Sequence, residues 1–154
     1  MSSCLKNFKF QLSTFNLIMK HSVPVQLRFN DTDALGHVNN STYFRFYDLG
    51  KSEYFAAVRG TDFFSQKIDI VVAHVEVDFI EPIFLTDRIA VETCVSHIGT
   101  KSLILSQQIV DLRTNRIKCK GSTTMVGFDF DHNITIPISQ EWRDAIERYE
   151  ERKF

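Results

Sequence analysis

Residues 31–55 read DTDALGHVNNSTYFRFYDLGKSEYF, and they raise the questions of fold and function together. From about Asn40 to Val58 the positions Tyr43, Phe46, Tyr47, Gly50, Tyr54, Ala57 and Val58 recur at helical spacing. Ser41, Arg45, Asp48, Ser52 and Arg59 take the opposite face. This is the pattern of one long amphipathic helix, stopped near Gly60. Gly50 falls on the apolar face, where glycine costs about 1 kcal/mol of helix propensity relative to alanine. Close approach of the helix to a flat surface would offset that cost. Just upstream, the chain runs from Asp31 and Asp33 through Gly36 into the polar residues His37, Asn39 and Asn40.

The flat surface follows in the sequence. Val71, Ala73, Val75, Val77 and Phe79 alternate with His74, Glu76 and Asp78, and Pro82 ends the run. Ile89, Val91, Thr93 and Val95 form the next alternation; Gly99-Thr100 marks a turn, and Leu103 to Val110 returns from it. Thr114-Asn115 marks another turn before a long strand over Ile117 to Phe128. Before the helix, Val23, Val25, Leu27 and Phe29 predict a short strand, with Pro24 near its start where proline is tolerated. A charged helix over Glu141 to Arg152 closes the chain, with Pro137 ahead of it. The order predicts an α+β domain: a long central helix wrapped by a curved antiparallel sheet of about five strands, the last four forming a meander.

The 154 residues fit one domain over residues 23–154, preceded by an N-terminal extension over 1–22, with Met19 an alternative start. That extension lacks acids, but Lys6, Asn7 and Lys9 interrupt any signal-type apolar core. A formal net charge of −1, with both signs interspersed, gives no field for nucleic acid or anionic lipid. No apolar run approaches the roughly 20 residues that span a bilayer. The three cysteines, Cys4, Cys94 and Cys119, have no metal-type spacing, which favours free thiols, a reducing compartment and a cytoplasmic location. His74, Glu76 and Asp78 share a strand face, but same-face neighbours stand about 7 Å apart, too far to converge on one metal without bending. No phosphate loop or dinucleotide fingerprint occurs, so neither metal nor cofactor is expected.

A helix N-terminus leaves backbone N–H groups unpaired at the positive end of the helix dipole. Asp33 sits a few residues before that end, and Gly36 allows the tight turn between them. A base and an oxyanion site on one loop suit hydrolysis of an activated carbonyl, with Asp33 activating water or attacking and the Asn40 amide receiving negative charge. The same residue types also serve as ordinary helix caps worth about 1 kcal/mol, and Asp31 or Asn39 can be read that way.

The string RFNDTDALGHVNNSTYFRFYDLGKSEY (28–54) resembles the signature of the hotdog-fold acyl-CoA thioesterases of the 4-hydroxybenzoyl-CoA type. VEVDFIEPIFLTDRIAVET (75–93) and GTKSLILSQQIVD (99–111) are similar to that family's strands. The resemblance extends over roughly Val23 to Pro137 and implies a hotdog fold that hydrolyses an acyl-CoA, or an acyl-carrier-protein thioester, to acid and thiol. By position it implies Asp33 as catalytic base or nucleophile and Asn40 as oxyanion donor. Gly36, His37, Asn39, Tyr43 and Tyr47 would border the substrate, His37 by orienting the loop, while Tyr43 and Tyr47 equally suit a core role. Lys101 and Ser102 would meet the phosphates of CoA, with Arg88, Lys118 or Lys120 as alternatives. It further implies a homodimer or homotetramer with active sites at the interface. Two rival functions share the fold: a non-catalytic acyl-CoA-binding module, and a hydratase or dehydratase, which needs a different arrangement of carboxylate and histidine.

Overall fold

The computed structural model describes residues 18–60 and 69–154, so residues 1–17 of the expected extension lie outside the described residues. In chain order the elements are β1 (His21–Val25), a 3-10 turn (Phe29–Asp31), α1 (Asn40–Arg59), β2 (Ile70–Phe79), β3 (Ile89–Ile98), β4 (Ser102–Asp111), β5 (Ile117–Asp129), β6 (Ile134–Ile136) and α2 (Gln140–Glu150). They build one 6-stranded sheet in the order β1-β3-β4-β5-β2, with β6 pairing β5 beyond the start of β4. Every pairing is antiparallel. The long helix across an antiparallel sheet is the hotdog arrangement.

The long helix ends where the sequence places its stop: Gly60 takes φ +90° and its N–H donates to Ala56 O. Its buried face comprises Thr42, Tyr43, Phe46, Tyr47, Gly50, Tyr54 and Phe55. Around the N-terminal half, Val38, Tyr43, Phe46 and Tyr47 pack with Ile83, Ile89, Val91, Ile109 and Cys119. Around the C-terminal half, Tyr54 and Phe55 pack with Val95, Leu103, Leu105 and Trp142. Gly50 lies between these groups, so close to the sheet that a Cβ there would stand 2.5 Å from Val91 Cγ1. Beside it the buried Gln107 side chain donates to Tyr47 O at 2.9 Å and to Thr93 Oγ1 at 3.1 Å, tying helix to sheet through a satisfied polar contact.

The structure departs from the sequence pattern in three places. First, β1 stops at Val25, where its partner β3 begins at Ile89, so no ladder remains to continue the expected strand to Phe29. The chain turns instead, and Arg28 N–H donates to Asp31 Oδ2 at 2.7 Å. Second, the expected four-strand meander is interrupted, because β2 pairs with β5 rather than β3. The connection after β2 is drawn to β5: both Ile80 N–H and Glu81 N–H donate to Lys118 O. Third, a bulge between Val72 and His74 inverts the alternation within β2, placing Val71 on a different face from Val75. Cys94 and Cys119 are buried free thiols, and burial pushes them up to about 12 and about 11. No helix among the described residues is long and apolar enough to cross a membrane.

The contact under Gly50 makes a signed prediction. Gly50→Ala improves helix propensity by about 1 kcal/mol. It also forces a methyl onto the stiff, fully buried Val91. Overpacking of this kind costs about 1–3 kcal/mol, so a net loss of stability is expected in urea unfolding.

Candidate active site

The junction before α1 is a closed loop. Thr32 and Val38 form an antiparallel bridge, Asp33 N–H donates to His37 O at 3.0 Å, and Gly36 N–H donates to Asp33 O at 3.0 Å. Gly36 takes φ +81°, a conformation that residues with a Cβ rarely adopt, so the tight return depends on glycine. The loop is held from both sides. Asn39 N–H donates to Asp31 O, and Val38 N–H donates to Ile83 O, each at 2.8 Å.

The two acids of the sequence have opposite roles. Asp31 is 5% exposed, and both carboxylate oxygens are occupied, one by Arg28 N–H at 2.7 Å and the other by Arg45 Nη2 at 2.9 Å. Asp33 keeps more of its carboxylate available. Leu35 N–H reaches Oδ1 at 2.8 Å, while Oδ2 has His37 Nδ1 at 3.9 Å, beyond hydrogen-bond reach, and the side chain is 26% exposed.

The helix start shows a similar division. Asn39 is the N-cap: its side-chain oxygen accepts from Ser41 N–H at 2.9 Å and Ser41 Oγ at 2.7 Å, and its carbonyl accepts from Thr42 N–H at 2.8 Å. Among the described residues no acceptor meets Asn40 N–H. An exposed, unpaired amide at the positive end of a 20-residue helix is suited to receive an oxyanion. Asp33, Gly36, His37, Asn39 and Asn40 are thus gathered into one loop and helix start.

Tyr43 and Tyr47 lie deeper. Tyr43 is buried edge-on against Phe79, the last residue of β2, with ring centroids 5.0 Å apart. Tyr47 packs on the strand position at Gly121, where a Cβ would come within 3.0 Å of its ring, and its buried hydroxyl meets no hydrogen-bond partner among the described residues. Burial pushes both phenols above their ordinary range.

Lys101 and Ser102 are not brought to Asp33 within one chain. They follow Ile98 and precede Leu103, both packed with the C-terminal half of α1, whereas the junction joins the group around its N-terminal half. Lys101 Nζ contacts Thr135 O at 3.1 Å. Lys118 is also committed, to Glu81, Pro82 and Asp87. His74, Glu76 and Asp78 lie exposed along β2, and no group of three or more potential metal-ligating side chains gathers among the described residues. Two supports of the site, Ile83 and Arg45, were not legible in the sequence, because neither carries a motif and each acts through a backbone or buried partner distant in the chain.

The family model for the thioesterase-like superfamily matches residues 27–146. The chain belongs to that superfamily and is an enzyme of the thioester-hydrolase class. It is similar to the acyl-CoA thioesterase YbgC of Haemophilus influenzae, with 28% identity over 92 residues, covering 58% of this chain and 68% of the relative. The acyl-CoA thioester hydrolase YbgC of Escherichia coli O6:H1 is 29% identical over 93 residues, covering 57% of this chain and 67% of the relative. Among solved structures, a thioesterase from Thermus thermophilus complexed with coenzyme A and Zn matches with TM-score 0.78 and 28% identity, covering 88% of this chain and 97% of its own. A 1,4-dihydroxy-2-naphthoyl-CoA thioesterase from Synechocystis, at 16% identity and TM-score 0.72, shares the fold over 82% of this chain and 94% of its own.

The unequal loads on the two acids separate in stability measurements. Asp31→Ala strands the Arg28 amide and removes the charged bond from Arg45, which keeps Thr42, and should cost about 1.5–3 kcal/mol, the scale of a charged hydrogen bond. Asp33→Ala, which loses one exposed loop contact, should cost about 1 kcal/mol or less in the same urea titration.

Proposed function

We propose that the protein hydrolyses an acyl-CoA, or an acyl-carrier-protein thioester, to the free acid and thiol. The observation that carries this reading is the pairing of Asp33, a carboxylate with spare capacity, with the unpaired Asn40 N–H on the same junction. A thioester carbonyl oxygen set on Asn40 N–H is polarised by the amide and by the helix end. Asp33 then takes a proton from water as the water oxygen attacks the carbonyl carbon, or attacks that carbon itself to form a mixed anhydride that water opens. In the first route collapse of the adduct breaks the C–S bond and the thiolate takes the proton back from Asp33; in the second the C–S bond breaks as the anhydride forms, and the thiolate takes its proton from the water that opens it. His37 orients Asp33 from across the loop, Gly36 and Asn39 shape the approach, and Tyr43 with Tyr47 backs the acyl group. No metal or cofactor enters these steps, and the buried thiols suit a reducing, cytoplasmic setting.

The working unit in this reading is a homodimer formed through β2, which can pair again as a tetramer. β2 closes the path of the sheet, its outer edge has no partner among the described residues, and Val72, Val75 and Phe79 are exposed along it. A ten-residue open edge, with exposed Val72, Val75 and Phe79 interleaved with His74, Glu76 and Asp78, is a template for a second chain. Pairing β2 with its copy about a two-fold axis sets the Ile70 end of one beside the Phe79 end of the other. Tyr43 and the junction lie at the Phe79 end. Lys101 lies at the Ile70 end, where Ser102 and Ile70 pair with the adjacent residues Val126 and Gly127 of β5. The geometry of such a dimer would offer Lys101 and Ser102 to the junction of the second copy, where they can meet the phosphates of CoA.

Two measurements test this reading. Thiol release from short, long, branched and aromatic acyl-CoAs is expected from the wild type, and Asp33→Asn should lower it by about a hundredfold or more while the fold persists. Near-normal turnover in Asp33→Asn would remove Asp33 from the mechanism; tight acyl-CoA binding with no turnover across the panel would replace the enzyme by a binding module. Sedimentation should show a dimer or tetramer for the wild type and a shift toward monomer for Val75→Lys, whose charge falls on the open edge.

A further inference from the structure

We infer that Lys118 is a positioning residue for the Asn40 amide, acting through the loop between β2 and β3; the inference rests on the oxyanion role proposed for that amide. Lys118 stands near the start of β5 and is buried, 8% exposed. Its ammonium reaches three oxygens, all on one loop: Pro82 O at 3.2 Å, Asp87 Oδ2 at 3.4 Å and Glu81 Oε2 at 3.6 Å. Its backbone carbonyl accepts from Ile80 N–H at 3.0 Å and Glu81 N–H at 2.9 Å. The carboxylates are tied in turn, Glu81 to Arg116 and Asp87 to Phe84 N–H. A cation among these acceptors therefore sets the shape of residues 80–87.

That loop supports the site. Ile83, next after the carbonyl that Lys118 holds, is fully buried and packs in one group with Val38. Ile83 O accepts from Val38 N–H at 2.8 Å. Asn39 and Asn40 follow directly, so movement of Ile83 passes within two residues to the amide that receives the oxyanion. The other side of the junction has a separate anchor, since Asn39 N–H is held by Asp31 O and Asp31 by Arg45. Loss of Lys118 should therefore leave the helix start formed but displaced. A partly buried charge stripped of its cation draws in water or moves toward it; here that group would be Asp87, while Glu81 keeps Arg116. A donor misplaced by about 1 Å can cost on the order of a hundredfold in rate.

The experiment compares full-length wild type, Lys118→Met, Lys118→Arg, Asp87→Asn and Asp33→Asn, each measured well below its own melting temperature. Acyl-CoA turnover is read as kcat and KM separately, and the Val38 and Asn40 amide resonances are followed by 1H–15N spectroscopy. Lys118→Met should lower kcat by about 10–100-fold with KM within about threefold, since the lost interaction strengthens in the transition state. It should also shift the Val38 and Asn40 amides, and Lys118→Arg, which keeps the cation, should recover most of kcat. If Lys118→Met melts lower while kcat per folded molecule and both amides stay as in wild type, Lys118 is structural only and the inference is overturned. Should Lys118→Met fail to fold, Asp87→Asn decides: a fall in kcat with moved amides supports the link, and unchanged values refute it. A wild type silent on every acyl-CoA would sink the thioesterase reading instead. The amide shifts would then still decide whether Lys118 positions Asn40.

Discussion

The close contact between α1 and the sheet at Gly50 governs the rest of the molecule. A helix normally rides about 10 Å from a sheet on a cushion of side chains; here no Cβ separates the helix from Val91, and the two approach until the valine touches backbone. The carbonyl of Tyr47 comes near enough for Gln107 to reach it from β4. With the middle of the helix pinned, its apolar residues divide into two groups on either side of the contact. The N-terminal end of α1 is therefore fixed in rotation and height over the sheet. The pin thus limits the freedom of the backbone amides at that end.

Pinning also sets what each end of the molecule can do. At the C-terminal end, Trp142 of α2 closes the core, its ring under the Arg59 guanidinium at 4.4 Å and its indole N–H on Asp69 at 2.7 Å. Glu150, 4% exposed, accepts from Tyr54 Oη and from Val95 N–H, so this buried carboxylate is satisfied by partners in the fold. The N-terminal end is less completely closed: Asp33 and Asn40 retain unfilled hydrogen-bonding capacity, and Phe79, Ile80, Phe84 and Leu85 remain exposed beside it. That spare capacity on Asp33 and Asn40 is what marks the N-terminal end of α1 as the candidate site.

The features legible in the sequence were those written as local periodicity or local turn chemistry. The stop of α1 at Gly60, the buried Gly50, the Gly99 turn and the last helix after Pro137 all follow from near neighbours in the chain. The partner of β2 was not legible, because alternation reports which face a residue takes and not which strand lies beside it. The bulge near Ala73 was hidden for a similar reason, since one added residue in a run of Val and Ala leaves the composition unchanged. Asp31 and Asp33 look alike in sequence. Only Arg45, fourteen positions later, and the folded Arg28 amide show that Asp31 is spent.

The run His37-Val38-Asn39-Asn40 can be read atom by atom in these terms. His37 contributes its carbonyl to close the loop on Asp33, and Val38 goes fully into the core to anchor that loop on Ile83. Asn39 then satisfies the amides of Ser41 and Thr42 with its side chain and carbonyl. A cap that met every amide would make a more saturated helix start and leave no donor for an oxyanion. A cap that met none would let the first turn fray and lose the donor's direction. Asn39 takes the two amides beyond Asn40 and leaves that of Asn40 itself open, so the cap uses N–H groups other than the one proposed for the oxyanion. That division explains why the junction carries more polar chemistry than a simple turn between a strand and a helix requires.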